Sequence, residues 1–192
     1  YCYAMPGNKT RKMHTSERNT FKVVNSTPLA KITKNKLEIL REFNARSSNK
    51  LKSDIKGISN VVSIKVHPGQ SPNILNYYKN EGYKGLVLEV TGLGHVPGKD
   101  SENNWLPTIK KLINSGMIIC AAPQTIYGTL NPNVYSSGRD LQKTGLIFLK
   151  DILPETALVK LGWVLGHKSW IRDKEKVKEK MLENVSGEFS TN

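Results

Sequence analysis

From Val61 onward, apolar and polar positions come in alternating blocks with a steady rhythm. Val61-Val-Ser-Ile-Lys-Val66 predicts a strand and His67-Pro-Gly-Gln-Ser71 a turn. Ser71 is placed to cap a helix whose first position is Pro72. That helix runs to Glu81 and stops at Gly82. Gly85 to Val90 is nearly all apolar, as a strand buried on both faces must be. Thr91 to Asp100 predicts a loop, after which Ser101 predicts the cap of a second helix ending at Gly116. Trp105, Ile109, Leu112 and Ile113 fall on one face of that helix. Met117 to Ala122 predicts a third strand, and Pro123 to Lys150 a long loop. Pro154 opens a helix carrying Leu158, Leu161, Val164 and Leu165, ended by Gly166. A charged helix around Asp173 to Val185 has a narrow stripe of Val177, Met181 and Leu182. Strand, helix, strand, helix, strand at this spacing predicts an α/β fold with parallel pairing through right-handed crossovers.

The first 60 residues lack the rhythm. Phe21-Lys-Val-Val24 and Leu29-Ala-Lys-Ile32 predict short strands on either side of Asn25-Ser-Thr-Pro28 turn chemistry. Residues 1–45 offer too few apolar positions to close on themselves, and residues 44–60 are polar like a linker. A chain that opens at Tyr1 inside a strand-like run is expected to be part of a larger enzyme.

Charge sharpens the contrast. The chain carries a net charge of +13 over 192 residues. Residues 1–60 hold 13 Lys+Arg against 4 Asp+Glu, a balance of +9, and residues 61–192 contribute +4. Two readings fit the basic half: a polyanionic partner, or the surface of a protein from a lysine-rich proteome. No aromatic residue is interleaved with the Lys and Arg of residues 31–56 except Phe43, so a stacking platform for single strands is not expected. No apolar run is long enough for a membrane span, and polar residues rather than an apolar stretch follow Arg11 and Lys12, so neither an anchor nor a leader is expected. Cys2 and Cys120 are far apart, which predicts two reduced thiols and a cytoplasmic setting.

Candidate chemistry lies past the strand ends. Leu86-Val-Leu-Glu-Val-Thr-Gly-Leu-Gly-His95 runs an apolar strand into a polar, Gly-rich turn, where open parallel sheets keep ligand sites. Gly92, Gly94 and Gly98 miss the dinucleotide fingerprint, because the third glycine is one place late and no helix opens at Gly94. They suit either close backbone approach to a small polar ligand or a tight turn. His67 and His95 share the same sheet edge but have no Cys or carboxylate at metal-ligand spacing. The loop from Gln124 to Asp140 is rich in hydroxyls and amides, which suits recognition of an amide or of a neighbouring subunit, with a purely structural loop as the alternative. Arg11-Lys-Met-His-Thr-Ser16 sets a lysine among hydroxyl groups; an amine can activate a hydroxyl where neighbours or burial lower its pKa, but on spacing alone most such lysines are solvated surface groups.

Lys12-Met-His-Thr-Ser-Glu-Arg-Asn-Thr-Phe21, followed by Asn25 and Pro28-Leu29, resembles the asparaginase-type amidohydrolases. Thr91-Gly-Leu-Gly-His95, Gln124-Thr-Ile-Tyr-Gly128, Asn133-Val-Tyr-Ser-Ser-Gly-Arg139, Pro154-Glu-Thr-Ala-Leu-Val-Lys160 and the tail Met181-Leu-Glu-Asn-Val-Ser-Gly-Glu188 are similar to one branch of it, the D subunits of archaeal glutamyl-tRNA(Gln) amidotransferases. The resemblance implies a larger N-terminal and a smaller C-terminal α/β domain. Three segments follow: 1–43 as the end of the N-terminal domain, 44–60 as linker, and 61–192 as the C-terminal domain with a small parallel sheet and flanking helices. It implies a Thr nucleophile in a Gly-Gly-Thr strand end, with a second Thr, an Asp and a Lys in support. Only the Lys maps here, at Lys12, so this chain alone is expected to be inactive. Thr91, His95, Gln124 and Thr125 are the candidates for substrate or subunit contact, because in the family this domain completes the partner's active site. The position of a substrate-binding Asn in bacterial relatives corresponds here to Pro97, which cannot donate. The implied reaction is release of ammonia from glutamine for ATP-dependent conversion of Glu-tRNA(Gln) to Gln-tRNA(Gln). The implied partners are an amidotransferase E subunit, in a heterotetramer with a homodimer of D subunits, and Glu-tRNA(Gln) held mainly by the E subunit. No cofactor or metal is expected on this chain; ATP and Mg belong to the partner. A stand-alone L-asparaginase and an RNA-binding domain without catalysis remain open beside it.

Overall fold

The computed structural model describes residues 1–190, which divide into two compact units. One unit is Lys56–Glu183; the other joins Tyr1–Ile55 with the segment from Asn184 onward. The tail that sequence order places in the 61–192 segment therefore groups with the first 55 residues.

Lys56–Glu183 is built on four parallel strands in the order β6 (Val61–Lys65), β7 (Gly85–Val90), β8 (Ile118–Pro123) and β9 (Ile147–Phe148). Central strand β7 pairs Gly85 to Ile118 and Val90 to Pro123, and it is buried along nearly its whole length. Its composition requires this, because a strand with apolar residues on both faces needs helices over both. Leu86, Leu88 and Val90 face a core with Ile119, Ala121, Leu75 of α1 (Asn73–Asn80), Trp105, and Ile109 and Leu112 of α2 (Leu106–Asn114), which Trp105 precedes. Helix α4 (Pro154–Leu165) packs on β6, β7 and β8, and a Cβ added to Gly85 would meet Leu161 Cδ2 at 2.8 Å. Helix α5 (Lys174–Leu182) lies on α4 with Val177 and Met181 buried. Among the described residues no helix is long and apolar enough to cross a membrane.

Two expectations need correction. Ser101 does not cap α2: its Oγ accepts from Asn103 N at 3.2 Å in a turn, and Asn104 Oδ1 accepts from Leu106 N at 3.1 Å. The stretch from Pro123 to Lys150 is not one loop. Pro123 ends β8, and α3 (Ser136–Gln142) and β9 lie within the stretch. Helix α3 carries Leu141 as its one buried large apolar side chain, too little for a helical stripe to show in the sequence. By contrast, Ser71 Oγ accepts from Asn73 N at 3.3 Å, the bond expected of a cap.

The described residues of the other unit hold five antiparallel three-residue strands. β1 (Cys2–Ala4), β4 (Ala30–Ile32) and β5 (Leu37–Ile39) form one sheet, with β4 in the middle. β2 (Thr10–Lys12) and β3 (Phe21–Val23) form a hairpin in which Thr10 faces Val23 and Lys12 faces Phe21.

Candidate functional site

Lys12 ends β2 with an exposed side chain. Its hairpin loop is ordered by local polar contacts. Met13 N donates to Thr20 O at 2.7 Å, and His14 N to Thr20 Oγ1 at 2.9 Å. His14 Nδ1 accepts from Ser16 N at 3.2 Å and Glu17 N at 3.1 Å. The loop is thus a defined turn that presents the lysine amine at its base.

The second group gathers at the carboxyl ends of β7 and β8, both within Lys56–Glu183. Thr91 to His95 closes into a tight turn: Thr91 N and Oγ1 donate to His95 O at 3.0 and 3.2 Å, and His95 N donates to Thr91 O at 2.9 Å. Glycine is required inside it. Gly92 has φ +51°, and Gly94 has φ +119° with Phe148 Cε1 only 2.7 Å from where a Cβ would stand. The tight-turn reading therefore has a direct cause, the positive φ of Gly92 and both the φ and the packing of Gly94. His95 lies edge-on to Tyr135, with ring centroids 5.5 Å apart, and its Nε2 is buried without a hydrogen-bond partner among the described residues.

Gln124 is tied into the scaffold. Its side-chain amide donates to Val66 O at 2.5 Å and Glu89 O at 2.6 Å, and its backbone N donates to Val90 O at 3.1 Å. One residue thereby links β7 and β8 to Val66, just past the end of β6. Its nitrogen is engaged by carbonyls, and these bonds hold the strand ends together. Thr125 follows it, exposed. Thr91, His95, Gln124 and Thr125 therefore share one sheet edge, while Lys12 belongs to the other compact unit.

Near this edge, a cleft of about 320 Å³ is lined by Gly98, Lys99, Asp100, Ser101, Leu106, Ser136, Ser137 and Asp140. The Asp140 carboxyl is held below the usual carboxylate range, chiefly by the hydrogen bond from Lys143 Nζ at 3.0 Å and then by the charges of Lys143 and Lys99. Among the described residues, no group of three His, Cys, Asp or Glu side chains could hold a metal ion. The strand-end edge carries hydroxyls, a histidine nitrogen and backbone groups, while Lys12 presents an exposed amine in the other unit. Sequence reasoning missed Tyr135 against His95 and Phe148 beneath Gly94. The positive-φ need of Gly94 was visible only as a glycine between an apolar residue and a histidine.

Comparison with known proteins fits this division. Residues 60–181 match the model of the Glutaminase/Asparaginase C-terminal domain. The chain is 45% identical over 192 residues to a protein from Pyrococcus abyssi named as the D subunit of glutamyl-tRNA(Gln) amidotransferase, covering 99% of this chain and 42% of that protein. A protein of the same name from Thermococcus kodakarensis is 43% identical over the same span, again with 42% of its length covered. The chain thus spans well under half the length of these relatives. Among solved structures, the thermostable L-asparaginase from Thermococcus kodakarensis superposes with a TM-score of 0.87 at 27% identity, covering 98% of this chain and 55% of that one. L-asparaginase I from Vibrio cholerae gives 0.83 at 26% identity, covering 97% and 55%. The chain belongs to the glutaminase/asparaginase family, and its residues 60–181 are that family's C-terminal domain.

Proposed function

We propose that this chain is part of the glutaminase subunit of a tRNA-dependent amidotransferase. The observation that carries this is similarity along essentially the whole chain, at 38 to 45% identity, to proteins named as D subunits of glutamyl-tRNA(Gln) amidotransferase. The whole subunit would hydrolyse the side-chain amide of glutamine. A Thr hydroxyl outside this chain attacks the amide carbonyl, ammonia leaves, and water then splits the resulting ester to give glutamate. Such a hydroxyl is weak at its own pKa and needs a base. Lys12 supplies an exposed amine on an ordered hairpin and is assigned to proton transfer around that nucleophile. Thr91, His95 and Thr125 are assigned to contacts with substrate or a neighbouring subunit, and Gln124 to holding their edge in shape. The E subunit, with ATP and Mg, would use the ammonia to convert Glu-tRNA(Gln) to Gln-tRNA(Gln) in the cytoplasm. Catalytic groups that act as a set lose orders of magnitude when members are removed, so the 192-residue chain alone is inactive.

The superposition on L-asparaginases favours a second reading, a stand-alone asparaginase. One experiment separates the two. Ammonia release from glutamine and from asparagine is measured with the upstream-extended protein, with and without the E subunit charged with Glu-tRNA(Gln). Glutamine-dependent release that rises with the loaded partner is expected. Fast asparagine hydrolysis indifferent to partner and tRNA overturns the amidotransferase reading.

A further inference from the structure

We propose that the tail Asn184–Ser190 is a clamp on the hairpin that carries Lys12, with Ser190 and Lys9 as its positioning residues. The proposal rests on the catalytic assignment of Lys12 above.

Lys9 is the starting point, at 2% exposure. A buried ammonium is strongly unfavourable unless acceptors surround it. Its Nζ donates to Ser190 Oγ at 3.1 Å and Glu188 O at 3.5 Å, both in the tail. Its own carbonyl accepts from Val24 N at 2.8 Å, which closes the base of the β2–β3 hairpin. Ser190 Oγ in turn donates to Asn25 O at 2.6 Å. One hydroxyl therefore accepts from the arm entering the hairpin and donates to the arm leaving it, the use a serine's single proton and lone pairs allow. Asn8 Nδ2 adds bonds to Ser186 O at 2.7 Å and Ser186 Oγ at 3.0 Å.

The tail is braced to serve this way. The Glu188 carboxylate accepts from Ser186 N at 2.7 Å, Ser186 Oγ at 3.1 Å and Val185 N at 3.2 Å. Asn184 bonds the backbone of Phe189 in both directions, at 3.2 and 3.4 Å, and the Phe189 ring is buried. Glu188 is itself only 2% exposed. A loop held this firmly, joined to both arms of a two-stranded hairpin, sets where the hairpin points. Lys12 lies three residues beyond Lys9, roughly 10 Å along an extended strand. A small tilt at the base therefore moves the amine by about 1 Å, a misplacement that can lower turnover by as much as about 100-fold.

The test uses the complete subunit with its partner, with glutaminase kinetics and thermal melting measured side by side. Ser190→Ala is expected to lower kcat about tenfold or more. KM should stay within about twofold and the melting temperature should fall by only a few degrees, as the loss of one buried bonding hydroxyl requires, with Ser190→Thr restoring kcat through its hydroxyl. Asn8→Ala, which removes the exposed bonds to Ser186, should give a smaller kcat loss of the same kind and stands in if Ser190→Ala does not fold. Wild-type kcat in both Ser190→Ala and Asn8→Ala, or a loss that Ser190→Thr does not restore, overturns the clamp. Lys12→Met is run beside them and should be inactive. Full activity in that variant overturns the catalytic reading of Lys12 itself, so the two failures are told apart.

Discussion

In Lys56–Glu183, strands of up to six residues and helices of up to twelve enclose a continuous apolar core. Among the described residues of the unit that joins Tyr1–Ile55 to the tail, no strand exceeds three residues. Its buried side chains are as often polar (Lys9, Thr20, Glu188) as apolar (Val24, Ala30, Phe189). Tyr1, Phe21, Ile32, Leu37, Ile39, Leu40 and Phe43 are exposed there. The first region is held by apolar burial, which scales with area; the second is held by hydrogen bonds whose net contributions are individually small. A hydrophobic pattern can therefore report the first region from sequence and can say little about the second.

The sharpest way to break this comparison is to truncate one large apolar side chain in each region. Trp105 is fully buried, and its Nε1 donates to Gln70 O at 3.0 Å. Trp105→Ala should destabilise by about 3–5 kcal/mol, through lost burial, a cavity and an unpaired carbonyl. Leu37 is 63% exposed, and Leu37→Ala should change stability by no more than about 0.5 kcal/mol. Urea unfolding of the 192-residue chain measures both. Equal losses would mean that the exposed strands share a core with the rest.

What the sequence revealed follows the same line. Gly85–Val90 and Pro154–Leu165 form as expected, because a nearly all-apolar strand and a Pro-to-Gly bounded amphipathic run need no outside partner to be read. β1 fits the strand-like run at Tyr1, but β2 and β5 were not anticipated, since three residues carry no period and their pairing is decided by tertiary contacts. The place of the tail was hidden for a related reason. Its bonds to Asn8, Lys9 and Asn25 span 165 to 181 positions of sequence. At the strand-end edge, the Thr91–His95 turn was legible from its glycines. The bridging by Gln124 was not, because an exposed amide and an amide engaged by two carbonyls look alike in a sequence.

Gln124 offers a second test of the apolar region, at its polar rim. Gln124→Leu removes the donors to Val66 O and Glu89 O while keeping most of the bulk. A loss of about 1–3 kcal/mol is expected. Gln124→Glu should be worse, since a carboxylate would face two carbonyl oxygens with no proton to offer. Denaturation midpoints near neutral pH rank the three proteins. If Gln124→Glu is at least as stable as Gln124→Leu, the amide nitrogen does not make this bridge.

The smallest effect near neutrality, and the most local, concerns Cys120 on β8. Burial pushes its thiol up to about 12 from 9.0, while the nearby charge of Lys160 acts weakly in the other direction. In the unfolded chain the thiol ionises near 9.0; in the folded chain it holds its proton to about 12. The folded state thus binds the extra proton throughout that interval, and the linkage relation makes stability fall as pH rises across it, by at most about 1.4 kcal/mol per pH unit. Below the unfolded value the term is fully present and flat. Cys120→Ala removes the ionisation, so its stability should fall less steeply than wild type from about pH 9 upward, whatever the two proteins' difference near neutrality. The thiolate, not the thiol, is the nucleophile, so iodoacetamide should modify exposed Cys2 in the folded protein and leave Cys120 untouched until it unfolds. Parallel alkaline profiles for wild type and Cys120→Ala, together with labelling of Cys120 under native conditions, would mean that β8 opens to water. The apolar region would then lose the property that separates it from the hydrogen-bonded one.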